Sequence, residues 1–195
     1  MRFTYAVIAA LLLGFAAGRL GLRTGDTYEL ALYFLIFVIG LDIGKEGRLS
    51  ELRKVGRLSL VLPFSTLVGS ILGGTIVSVA FGIPILWGLA VASGVGWYSL
   101  TGPVLAQHSP FYGLLGFFAN FLREVLTIVA YPLLVRVLPP EVALSIGGAT
   151  TMDSTLPIIA KFGGRDVVLL AFIHGFILSL LVPFVVPLLA GLAAG

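Results

Sequence analysis

Two ionised side chains, Arg123 and Glu124, are adjacent within a long apolar stretch, residues 113–136 of a chain of 195. A stretch of this length and composition predicts a membrane helix. Charged groups at bilayer depth are costly, and they are found mainly where they face a protein interior, a water-filled cavity or each other. Glu124 is therefore a candidate for carrying a proton or binding a cation, and Arg123 can neutralise it.

Asn120 belongs to the same group of residues. Asn120, Arg123 and Glu124 are spaced i, i+3 and i+4, which places them on one face of a helix. The same spacing suits a structural ion pair that joins two helices, and the residues alone leave both interpretations open.

A second polar group occupies residues 147–157, GGATTMDSTLP. Ser, Thr or Asp followed by proline is typical of a helix start, so this segment predicts a broken helix whose second half begins near Asp153 or Ser154. A half-helix N-terminus suits an anionic group such as a substrate carboxylate. The alternative is a polar loop outside the membrane. The candidate binding residues of this segment are Thr150, Thr151, Asp153, Ser154 and Thr155.

A third group occupies residues 93–103, SGVGWYSLTGP, where glycines and a proline again predict a broken helix near 94–103. Trp97, Tyr98 and Ser99 line a binding pocket, or the two aromatic residues belong to the interfacial aromatic belt. Two interrupted apolar segments in one membrane protein indicate the binding site of a transporter.

Two further titratable residues each have a functional and a structural interpretation. Asp42 lies near the cytoplasmic end of an apolar run, where it is either a solvated helix-end charge or part of the site. His174 lies within the last apolar run. It is a proton relay, because imidazole titrates near neutral pH, or a hydrogen-bonded packing residue.

The composition places these residues in an all-α, polytopic membrane protein. The chain is 58% hydrophobic and 11% charged, which excludes a soluble domain, and it contains no cysteine for disulfides or thiolate metal sites. No metal-ligand spacing and no P-loop is present, so we expect no metal, no cofactor and no nucleic-acid partner. We expect about seven spans within a single integral membrane domain, residues 1–195. The apolar runs are 3–22, 27–43, 57–81, 84–105, 112–137, 143–160 and 166–193.

The run 143–160 is short and polar, and it either crosses the membrane as a broken helix or is re-entrant, which would leave six spans. The segment 44–57 carries five basic residues and is therefore predicted to be cytoplasmic. Seven spans then give a cytoplasmic N-terminus and an external C-terminus in the cell membrane. In this arrangement Arg136 lies outside.

Four segments resemble, in order, the LysO family of lysine exporters. They are GVGWYSLTGPVLA (94–106), FFANFLREVLTIVAYPLLVR (117–136), GGATTMDSTLPII (147–159) and FIHGFILSLLVP (172–183). The resemblance implies export of L-lysine and close analogues in exchange for protons, with Glu124 and Asp153 at the acidic positions of the family. Family members commonly carry an additional N-terminal membrane unit. For this shorter chain we therefore expect that a minimal form suffices, or that a homodimer or a separately encoded membrane partner supplies the missing scaffold.

The favoured prediction is a secondary transporter, not an enzyme, in which Glu124 or Asp153 exchanges a proton for a substrate ammonium group. Three alternatives remain: a passive amino-acid or ion channel, an intramembrane enzyme that pairs Asp153 with Asp42 or Glu124, and an assembly subunit without transport activity.

Overall fold

The computed structural model describes residues 56–195, together with residues 13, 14, 16–21, 34 and 37. The chain divides into two compact units, Met1–Glu46 and Gly47–Gly195. Asp42 lies outside the described residues, and the predicted spans 3–22 and 27–43 lie largely outside them.

The described part of the second unit is built from helices, without strands. In chain order these are α1 (Leu58–Phe81), α2 (Ile85–Ala92), α3 (Tyr98–Ala106), α4 (Pro110–Leu134), α5 (Pro140–Ala143), a 3₁₀ helix (Leu144–Met152), α6 (Leu156–Gly163) and α7 (Arg165–Ala194). Among the described residues, three helices are long and apolar enough to cross a membrane: α1, α4 and the Val167–Ala194 part of α7. The prediction of an all-α polytopic membrane protein is confirmed.

Residues 84–106, which we call the first hairpin, enter the unit and return to the same end. Helix α2 has eight residues and α3 has nine, whereas a membrane-crossing helix needs about 20. The Trp87 ring near the start of α2 stacks on Tyr112 near the start of α4, with the ring centroids 4.3 Å apart. The end of α3 reaches the same place, because Ala106 packs against Gly113 so closely that no Cβ would fit on the glycine.

Residues 140–163, which we call the second hairpin, also enter the unit and return to the end from which they came. This is the opposite end of α4. Tyr131, near the end of α4, directs its hydroxyl at the Pro140 carbonyl oxygen, 3.5 Å away. The same hydroxyl packs directly against Gly163, where the hairpin ends. One buried cluster joins Tyr131 to Ala143 on the inward arm and to Ile159 on the returning arm.

The two hairpins give the unit an inverted topology. Helices α1 and α4 run in opposite directions, because Leu62 at the start of α1 lies in the same buried cluster as Tyr131 at the end of α4. Each of these helices is followed by a hairpin, which is the arrangement of inverted repeats in transporters. The sequence predicts one broken span over 84–105 and leaves 143–160 undecided. The structure has a re-entrant hairpin in both places.

The hairpin tips meet near the middle of α4. The Val95 carbonyl oxygen in the first tip accepts a hydrogen bond from the Ala149 N–H of the second, at 2.8 Å. Both backbones take unusual conformations there, since Val95 has φ 39° and Gly148 has φ 60°. A Cβ on Gly148 would overlap the Val95 carbonyl oxygen, so only glycine permits this contact.

Candidate functional site

Asn120 supports the broken backbone of the first hairpin. Its side chain is 3% exposed. The Asn120 Oδ1 accepts a hydrogen bond from the Gly96 N–H at 2.7 Å, and Nδ2 donates to the Val91 and Gly116 carbonyl oxygens at 2.9 and 2.8 Å. Interrupting a helix at membrane depth leaves backbone groups that water cannot reach, so the protein must pair them. Asn120 performs this task, and both of its N–H donors are in use.

Replacing Asn120 with alanine should destabilise the protein by about 1–3 kcal/mol, because the Gly96 N–H and the Val91 carbonyl would remain buried without partners. Chemical unfolding in detergent measures the change. Asn120→Asp keeps the acceptor for the Gly96 N–H and loses the donor for the Val91 carbonyl oxygen. We therefore expect this variant to separate the contribution of the first hydrogen bond to stability from that of the second. An alanine variant as stable as the original chain would contradict this role.

Arg123 supports the inward arm of the second hairpin. Its Nε donates to the Ile146 carbonyl oxygen at 2.8 Å and its Nη2 to the Ser145 carbonyl oxygen at 3.2 Å. Its Nη1 donates to the Ser70 hydroxyl of α1 at 2.6 Å. Among the described residues, the guanidinium forms no ion pair with a carboxylate. The ion pair of Arg123 with Glu124, one of the partners that the sequence allowed, is not formed, because neighbouring positions on a helix project about 100° apart.

Glu124 faces the tips of the hairpins. Its carboxylate and that of Asp153 are both near enough to the Tyr98 phenol to act on it through their charges, and the effect of Glu124 is the larger. The Glu124 Oε2 atom is buried and has no hydrogen-bond partner in the described part of the chain. Buried polar atoms are nearly always paired, so an unpaired carboxylate oxygen indicates a place for a proton, a water molecule or a cation. Glu124 and Asp153, from different parts of the chain, thus both lie within electrostatic range of Tyr98.

Aromatic rings form one wall of this acidic site. The Tyr98 ring packs edge-to-face on Phe117 and Phe121 of α4, with centroid separations of 5.3 and 5.6 Å. Apolar walls lower the local dielectric and strengthen the interaction of a carboxylate with a cation. Trp97 lies beside this wall, and its indole N–H donates to the exposed Ser99 hydroxyl at 3.1 Å.

The turn before α6 pairs its own N–H groups. The Asp153 Oδ1 accepts from the Ser154 N–H at 2.5 Å. The Thr155 N–H donates to the Thr150 carbonyl oxygen at 3.0 Å, and the Leu156 N–H donates to the Asp153 carbonyl oxygen at 3.2 Å. The Thr150 and Thr155 hydroxyls lie 3.2 Å apart inside the turn. This half-helix start retains its dipole, but the N–H donors expected for a substrate carboxylate are already in use.

His174 is fully buried and bound on both ring nitrogens. Its Nε2 lies 2.9 Å from the Thr66 hydroxyl and its Nδ1 lies 3.0 Å from the Thr151 hydroxyl. The Thr151 hydroxyl lies 2.8 Å from the Ala171 carbonyl oxygen and 2.9 Å from that of Gly148, so its proton goes to a carbonyl and it accepts from Nδ1–H. The imidazole therefore joins α1, the second hairpin and α7. This geometry fits the packing alternative for His174.

The long apolar helices and the paired hairpins define a multi-pass α-helical membrane protein whose interrupted backbones meet near partly buried charged groups. The chain belongs to the lysine exporter LysO family, whose profile matches residues 7–190.

Two curated relatives agree with this assignment. The lysine exporter LysO of Escherichia coli K12 is 37% identical over 181 residues, which cover 90% of this chain and 60% of that protein. A putative lysine exporter of Haemophilus influenzae is 35% identical over 153 residues, 78% of each chain. No solved structure matches the chain. This chain thus aligns with 60% of the length of the Escherichia coli relative.

Proposed function

We propose that the protein is a secondary transporter that exports L-lysine and close cationic analogues from the cytoplasm by proton antiport. The observation that supports this most directly is the buried, unpaired Oε2 of Glu124, whose carboxylate lies within electrostatic range of Tyr98 in the first hairpin. The relatives are named as lysine exporters, and a substrate ammonium group is the kind of ligand that such a carboxylate binds.

Proton exchange follows from the chemistry of one carboxyl group. Glu124 can hold either a proton or an ammonium ion, so binding of one displaces the other. If only these two loaded states permit the hairpins to rearrange, outward movement of lysine is coupled to inward movement of a proton. Tyr98 can donate a hydrogen bond to the carboxylate in the exchange. Asp153, which is exposed at the second tip, offers a first attraction to the incoming cation.

The basic residues support an orientation in the cell membrane. Arg57 precedes α1, Arg136 follows α4, Lys161 ends the second hairpin and Arg165 begins α7. All four lie at one end of the unit, because these parts of the chain share the buried cluster around Tyr131. The positive-inside rule favours the cytoplasm for this end. Arg136 then changes sides relative to the seven-span prediction, whereas the C-terminus stays external.

The bilayer and a second membrane component complete the proposal. Many large apolar side chains of α1 and α4 are exposed, among them Leu72, Ile76 and Leu126, and they suit contact with lipid or with another membrane helix. Because this apolar surface is extensive, we propose that a second copy of the chain or a separate membrane partner covers part of it.

Counterflow of labelled lysine in proteoliposomes that contain only this chain tests the proposal. We expect unlabelled lysine inside the vesicles to accelerate uptake of the label, and a pH gradient to drive net flux. Leucine in place of the internal lysine is the control and should not accelerate uptake. A flux that ignores both the internal lysine and the pH gradient would indicate the alternative of a passive channel. No lysine flux from a folded protein would contradict transport by this chain alone.

A further inference from the structure

A cavity of about 450 Å³ reaches from one end of the unit to Arg123. At the end that carries the basic residues it is lined by Leu62 of α1 and Leu138 after α4. Its inner part is lined by the Ser70 side chain and Arg123. The volume falls within the range of about 300–1,000 Å³ that is usual for small-molecule sites.

A second cavity of about 300 Å³ begins where the first one ends. It is lined by Asn120 and Val91 beside the first hairpin, and it shares Ser70, Arg123 and Ile146 with the larger cavity. The Arg123 side chain therefore lies where the two spaces adjoin, half-way along α4.

The Arg123 guanidinium keeps donors for a ligand. A guanidinium has five N–H donors, and three of those of Arg123 are bound, to Ser70, Ser145 and Ile146. All three partners are neutral oxygens. Two N–H groups and the whole positive charge thus remain uncompensated within the described part of the chain. A buried charge without a counter-ion is costly, and an anion that enters the cavity relieves this cost.

No other cation is positioned for this task in the central helices. Arg123 is the one lysine or arginine between Leu58 and Val135. The alternative anion site suggested by the sequence, the start of α6, has its N–H groups of Ser154, Thr155 and Leu156 paired within its own turn.

We propose that Arg123, oriented by Ser70, binds the α-carboxylate of the substrate at the inner end of the larger cavity. This inference rests on the proposed function. There, the acidic site binds an ammonium group of lysine, and here Arg123 binds the carboxylate of the same molecule. Planar guanidinium groups bind carboxylates through two parallel hydrogen bonds. Glu124 follows Arg123 directly in α4, so the two opposite charges lie at nearly the same membrane depth.

The site therefore selects amino acids over simple amines. A ligand that keeps both amines of lysine and replaces the carboxylate with a neutral amide should bind about 10- to 100-fold more weakly, as expected for losing hydrogen bonds to a charged group. L-Lysinamide is such a ligand at a pH at which both of its amines are protonated.

The experiment measures dissociation constants of L-lysine and L-lysinamide by competition with labelled lysine on the purified full chain in lipid nanodiscs. We expect the original chain to prefer lysine. Ser70→Ala and Arg123→Lys should weaken lysine binding and leave lysinamide binding nearly unchanged, so that the preference shrinks several-fold or more. A purely structural role of Arg123 would weaken both ligands equally. Thr75→Ala is the matched control, because this α1 hydroxyl is bound to the Ile71 carbonyl oxygen of its own helix.

Each possible result supports or contradicts a carboxylate site at Arg123. Equal binding of lysine and lysinamide by the original chain, or an unchanged preference in Ser70→Ala and Arg123→Lys, overturns the carboxylate site while lysine binding stands. If Arg123→Lys does not fold, the ligand pair on the original chain and on Ser70→Ala gives the answer. If the folded original chain binds neither ligand, the proposed function fails together with the inference.

Discussion

Glu124→Gln should lower lysine counterflow by roughly 100-fold or more, a loss that corresponds to about 3 kcal/mol for an interaction with a charged group. Glutamine nearly preserves the shape of the side chain and can still accept a hydrogen bond from Tyr98. It can neither take up a proton nor compensate an ammonium ion. Lysine uptake and proton movement should therefore be lost together, which the lysine flux and an internal pH-sensitive dye measure in the same vesicles.

The control for this prediction is Glu141→Gln. Glu141 lies in the first turn of α5, where the second hairpin begins, and we expect counterflow in this variant to equal that of the original chain. Size-exclusion profiles and unfolding curves of both variants show whether each protein is folded. Lysine exchange that persists in a folded Glu124→Gln protein would exclude this carboxylate as the exchange group and would move the assignment to Asp153.

The sequence predicted the positions of the two helix breaks because local chemistry determines them. Glycines at 94, 96, 147 and 148 remove the steric barrier to unusual backbone angles, and hydroxyl and carboxylate residues before Pro157 favour a new helix start. It could not predict that the run 84–105 turns back. The arms of a hairpin buried in protein are as apolar as the halves of a span, so hydropathy gives the same signal for both. The returning direction depends on tertiary contacts such as Trp87 on Tyr112.

The partners of the charged residues were likewise beyond what the sequence could predict. Spacing predicted that Asn120, Arg123 and Glu124 share one face of a helix, but Arg123 and Glu124 project about 100° apart and contact different surroundings. Their roles depend on what packs against each of them. Asn120 and Arg123 serve the backbones of different hairpins, and Glu124 alone lies beside Tyr98 and Asp153. Ser70, which binds Arg123, was missed, because it is one of six hydroxyl residues in α1 and nothing in its spacing distinguishes it from the others.

Gly148→Ala should destabilise the protein by about 3 kcal/mol and abolish counterflow, because it separates the hairpin tips. The new Cβ would overlap the Val95 carbonyl oxygen, and the φ of 60° at this position strains any residue with a side chain. The Ala149 N–H bond to Val95 would be lost as the tips move apart. Thermal unfolding and lysine counterflow of the same preparation test both effects.

Gly73→Ala shows whether the effect belongs to the hairpin contact or to glycine replacement in general. Gly73 lies within α1, and an alanine Cβ at this position would have nothing within 4 Å, so the substitution should be neutral or stabilise the helix by about 0.5–1 kcal/mol. Counterflow should be unchanged. The acidic site needs Tyr98 from one hairpin and Asp153 from the other at the same place, so contact between the tips and transport should fail together. A Gly148→Ala protein that keeps its stability and its lysine exchange would show that the tips need not touch, and that the acidic site does not depend on their meeting.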